Sequence, residues 1–242
     1  MLIRNPFFKK IQLTNRNEAA ASYKGIALKS LWYWVLCLGG VLAYCFLPLT
    51  AETSLLLGAG VLIAVICPII TYCFPMTACV AGSLYSVVQG YLLALICQTY
   101  IKEYAMLIWL AVGITALVFA VMSVLYFSGV IRINRKLRAA FLTMLIVSIV
   151  GSAIVYASSF FTNALINIFS ESGTISVAVT VGALLIAVIN LVFEFDFTVG
   201  LVSDGACKKY EWTAAYGLFM SIVLIFIRIL EILEKIMPKK EK

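Results

Sequence analysis

Apolar residues run for twenty positions and more at a stretch, repeatedly, along this chain. A helix needs about 20 mostly apolar residues to cross roughly 30 Å of hydrocarbon. Seven segments meet that length: 26–47, 55–74, 78–97, 105–129, 139–161, 175–202 and 212–237. The runs are continuous rather than alternating, which favours helices over a membrane β-barrel. With 64% hydrophobic and 12% charged residues over 242 positions, the chain carries more apolar surface than a soluble core of its size hides. The expected fold class is all-α, a polytopic membrane bundle of seven transmembrane helices.

The connections are short, so the expected organisation is a basic N-terminal segment at 1–25, one membrane domain at 26–237 and a basic tail at 238–242. The polar, basic start gives no sign of a cleavable signal peptide, and the first apolar run is expected to stay as a span. Arg4, Lys9, Lys10, Arg16, Lys24 and Lys29 precede or open the first span. Arg132, Arg135, Lys136 and Arg138 follow the fourth, and Lys208 and Lys209 follow the sixth. The other connections hold few bases. This bias predicts a cytoplasmic N-terminus in a multi-pass protein of the cell membrane. Seven crossings then put the C-terminus outside, against the pull of Lys235, Lys239, Lys240 and Lys242. The net charge of +7 is read as topology and attraction to the headgroups of a lipid bilayer, with no nucleic-acid partner expected.

His is absent, so His triads and His metal sites are excluded. The seven Cys form no CxxC pair and are read as small packing residues. No phosphate loop, GxSxG or HExxH motif is present. Enzyme activity, catalytic residues, cofactors and a resident metal are not expected. Pairs of small residues four apart, such as Ala78 with Gly82 and Ala178 with Gly182, are expected to face neighbouring helices, because they let backbones approach in lipid.

A few polar groups interrupt the apolar runs. Glu194 and Asp196 lie in the sixth span, where an ionised carboxylate is costly and has to face protein or water. Two residues apart on a helix means about 200° of rotation, so the two acids point to different faces. Asn190 lies one turn before Glu194, on its face. Glu211 opens the seventh span, either as an acid favoured by the helix dipole or as a third member of an acidic cluster. Arg228 is expected to snorkel or to pair with Glu231. Gln89, deep in the third span, is expected to bond to another helix. Asp196, Glu194 and Glu211 are thus the candidates for response to ions or protons, with Asn190 and Gln89 as polar bundle residues. The competing reading places Asp196 simply at the membrane interface.

Four stretches taken in order carry a family resemblance: Asn5-Pro6-Phe7, Ser128-Gly129-Val130-Ile131-Arg132, Asn190-Leu191-Val192-Phe193-Glu194-Phe195-Asp196-Phe197, and Tyr210-Glu211-Trp212-Thr213-Ala214-Ala215-Tyr216-Gly217-Leu218. Together they resemble the bacterial branch of the Bax inhibitor-1/YccA family. The resemblance implies a central seventh helix wrapped by two groups of three. It also implies a pH-modulated cation leak, calcium or protons being the species involved, built on an acidic pair in spans six and seven. Asp196 matches the first of these acids. The second has no counterpart, since 216–222 holds no acid, and the span-two Arg associated with closure is also missing from 55–74. Gln89 stands where related bacterial sequences have Glu. Glu194 or Glu211 is then the candidate substitute. The alternative the family implies is a non-conducting partner of another membrane protein, such as a quality-control protease; a small-solute transporter is the third reading.

Overall fold

The computed structural model describes residues 20–46, 54–129, 143 and 174–236. Among these the chain is helical: α1 (Tyr23–Phe46), α2 (Ser54–Cys73), α3 (Ala78–Phe127), α4 (Thr174–Ser203) and α5 (Glu211–Ile236), with short 3₁₀ turns at Pro75–Thr77 and Lys208–Tyr210. Among the described residues, five helical stretches are long and apolar enough to cross a membrane: Tyr23–Phe46, Pro75–Gln98, Met106–Phe127, Ser176–Ser203 and Lys208–Ile236. The expected span at 139–161 lies outside the described residues except for Thr143.

Local chemistry accounts for the helix ends. Ser22 caps α1, its hydroxyl accepting the Gly25 N–H at 3.1 Å. Pro68 sits inside α2, where it removes one backbone donor. Pro75 then opens the turn into α3. Glycines in the left-handed region follow α3 and α4, Gly129 at φ 74° and Gly205 at φ 62°. At the second, Ala206 N–H reaches back to the Leu201 carbonyl (3.1 Å) and Gly205 N–H to that of Val202 (3.2 Å). This pairing satisfies carbonyls that the helix leaves open and turns the chain toward α5.

One expectation fails inside α3. A connection was expected between Cys97 and Ala105, around Lys102 and Glu103. The backbone there is helical and α3 runs unbroken. The reason is compositional: Gln98-Thr-Tyr-Ile-Lys-Glu-Tyr-Ala-Met106 contains neither Gly nor Pro, so nothing local stops the helix.

The chain divides into two compact units. The first comprises residues 1–103 and 196–220, the second 104–195 and 221–242. In the first, α1 and α3 cross at backbone distance. A side chain at Gly40 would overlap the Val87 carbonyl, and one at Gly90 would overlap the carbonyl of Cys37. Gly82 makes the same allowance for the Tyr33 ring, beside the fully buried Ala78. Tyr33 is the hub of an aromatic cluster with Trp212, Tyr216 and Phe219 at centroid separations of 5.8 to 6.0 Å. The outer face of α1, with Leu28, Leu31, Val35, Leu38 and Leu42, is exposed, as a lipid-facing surface would be.

In the second unit Phe195 packs on Phe119 and Tyr126, each at 5.7 Å. The small pair Ala178 and Gly182 does not behave as expected. Ala178 is exposed, and a side chain at Gly182 would meet no described atom within 4 Å. Spacing alone does not say which side of a helix is covered, and α4 buries the face around Ser176, Thr180 and Ala187 instead.

Candidate functional site

Two polar assemblies stand out in the apolar surroundings. The first is built on Glu211, which has no exposed surface and lies in the first turn of α5. Its carboxylate is met from α1. Lys29 Nζ donates to Oε2 at 2.6 Å, and the Ser22 backbone N–H donates to Oε1 at 2.8 Å, with the Ser22 hydroxyl at 3.3 Å. Lys29 also donates to the Lys208 carbonyl at 3.1 Å and lies 5.1 Å from the centroid of the Trp212 ring. The ammonium is thus held by a carboxylate, a carbonyl and an aromatic face, each of which favours a cation. Gly25 makes room, since any side chain there would overlap the Glu211 carboxylate. The residues just before α1 are fixed by the same assembly. Ala20 bridges to Cys207, and Ala21 N–H donates to the Ala206 carbonyl at 2.8 Å.

The second assembly lies on α4 and the later part of α5, within the second unit. At 100° per residue, Ser176, Thr180, Ala183, Ala187, Asn190 and Glu194 fall within roughly 40° of one direction. This face is small or polar from end to end. Asn190 Nδ2 donates to the Ser221 hydroxyl of α5 at 2.8 Å. Toward the start of α4, Thr180 donates to Glu231 at 3.2 Å, and Lys235 donates to both Thr180 (2.7 Å) and Glu231 (3.0 Å). Arg228 completes the group with a 2.8 Å bond to Glu231, the pairing expected from their spacing. Glu194 is half-buried on the same face. Thr198, at the same register one turn later, belongs to the first unit; its buried hydroxyl has no hydrogen-bond partner among the described residues.

The expected site residues therefore separate. Glu194 and Asn190 share a face of α4, and half-buried Asp196 lies about 200° around the helix from Glu194. Gln89 is buried in α3. Glu211 is bonded through its carboxylate to Lys29 and Ser22, at the start of α5. Among the described residues, no three of Asp, Glu, Cys or His come together in a way that could hold a metal ion. Sequence reasoning missed Lys29, which was counted only as a topological base. Its signal was position: it lies past Ile26, inside the first apolar run, where an unpaired charge is costly.

No curated protein and no solved structure matches the chain. A family model described as Bax inhibitor 1 like matches residues 5–238, which is nearly all of it. With that coverage, and with apolar helices of membrane length, this multi-pass membrane protein belongs to the Bax inhibitor 1-like family.

Proposed function

We propose that this multi-pass protein lies in the cell membrane with its N-terminus in the cytoplasm and acts as a passive, pH-modulated cation leak with calcium as the first candidate ion. The observation that carries this reading is the α4 face running from Ser176 to Glu194. Small and polar residues line this face for about 27 Å at 1.5 Å per residue. Such stripes mark helix contacts or water-accessible paths. Asn190 and Thr180 account for two contacts on it. Half-buried Glu194 adds an ionisable group, and in the proposed path water reaches it, so that the charge there follows pH.

Glu194 is therefore the principal acid of the proposal. The sequence favoured Asp196, the position that matches the family pattern. The shared face with Asn190 moves the emphasis to Glu194, with Asp196 secondary. The test is calcium flux into liposomes reconstituted with purified protein. Wild type should conduct with a rate that changes with pH, and Glu194→Gln should flatten that change more than Asp196→Asn does. Absence of flux would favour the alternative of a non-conducting membrane partner, for which co-purification from native membrane is the direct assay.

A further inference from the structure

The Glu211 assembly is the most completely built polar site among the described residues. A fully buried carboxylate receives three donors, and the ammonium it holds has two further cation-favouring neighbours. Glu211 opens α5, and Lys29 lies in the second turn of α1. Between them the chain does something unusual for an all-helical protein. Residues 20–21 leave helical geometry and pair as extended backbone with 206–207. Ser22 joins the two features, because its backbone N–H and hydroxyl bond Glu211 while its hydroxyl also caps α1.

We infer that Lys29, Ser22 and Glu211 form a latch that holds the entry to α1 docked on the turn between α4 and α5, with the Lys29 ammonium acting as a tethered cation in a ready-made cation cage. With the latch closed, the Cys207 backbone pairs with Ala20 and the residue is only 9% exposed. Opening it releases residues 20–22 and uncovers Cys207 while leaving the α1–α3 crossing in place. That crossing is held separately by Gly40, Gly90 and the Tyr33 cluster. Loss of either charge opens the latch, because the remaining charge is left buried without its partner. A methyl at Gly25 does the same without removing a charge, by displacing the carboxylate from the place where Lys29 and Ser22 meet it.

The latch is tested with thiol alkylation of the full-length protein in detergent, followed residue by residue by mass spectrometry. Cys207 reports the docked segment, and Cys37, buried on α1 at the glycine crossing, reports the rest of the first unit. Glu211→Gln and Gly25→Ala should each speed Cys207 alkylation about tenfold or more, with Cys37 unchanged. Lys29→Ala should do likewise, and n-propylammonium, which replaces the deleted part of the side chain, should restore protection. Tetramethylammonium, a cation without N–H donors, should not. Unchanged Cys207 reactivity in Glu211→Gln and Gly25→Ala would overturn the latch. So would equal acceleration of Cys37, which would mean general loosening. Failure of n-propylammonium in Lys29→Ala would overturn the ammonium's role in favour of the packing of its stem.

Discussion

A carboxylate with no exposed surface persists only where its charge is met. Glu211 is met by Lys29 and by Ser22, and the dipole of α5 adds to the same sign of interaction at its first turn. Glu211→Gln keeps the shape but leaves the Lys29 ammonium, its side chain 15% exposed, opposite a neutral amide. The expected loss is about 3 kcal/mol in an unfolding titration in detergent. Lys29→Met with Glu211→Gln together should lose less than the sum of the single variants, since neither charge is then stranded. A loss below about 0.5 kcal/mol for the single Gln variant would mean that the pair behaves like an exposed surface bridge. Of this site the sequence showed the acid and its helix-terminal position. It did not show the cation, because the separation of 182 positions from Lys29 to Glu211 hides a pairing that only the fold creates.

At the level of elements, the apolar runs were legible and the interruptions were less so. Run length alone gave α1, α4 and α5 to within a few residues, because a hydrocarbon-spanning helix has little freedom in length. The break expected at Lys102 and Glu103 rested on charge, and charge does not end a helix unless Gly, Pro or a cap accompanies it. Glycines were legible as small residues but not by side. Gly39 and Gly40 illustrate the difference. A methyl at Gly39 would meet nothing within 4 Å, whereas one at Gly40 would overlap the Val87 carbonyl of α3. Gly39→Ala is expected to be neutral or to stabilise by up to about 1 kcal/mol, through helix propensity. Gly40→Ala forces two backbones apart and should cost about 2 kcal/mol or more. Thermal unfolding in one detergent compares them directly, and equal melting temperatures would contradict the close crossing. The α4 polar face was half-legible: Asn190 and Glu194 were placed together by spacing, while its extension through Thr180 to Glu231 and Lys235 needed the packing of α5.

For the whole molecule, family membership and apolar helices establish a multi-pass membrane protein, while orientation rests on the distribution of bases. Reporter fusions after Lys136 and after Lys242 should report opposite sides of the membrane; the same side for both would rule out seven crossings with a cytoplasmic start. The central claim is that the polar face of α4 conducts cations and that Glu194 makes the conduction respond to pH. The most direct measurement is calcium entry into liposomes holding purified wild type or Glu194→Gln, followed over about pH 5 to 8, the span in which carboxyls with perturbed environments titrate. The account predicts entry above protein-free liposomes with a pH-dependent rate in wild type, and a nearly flat rate in Glu194→Gln. Wild-type entry no faster than in protein-free liposomes across that range, or a pH profile unchanged by Glu194→Gln, would contradict it.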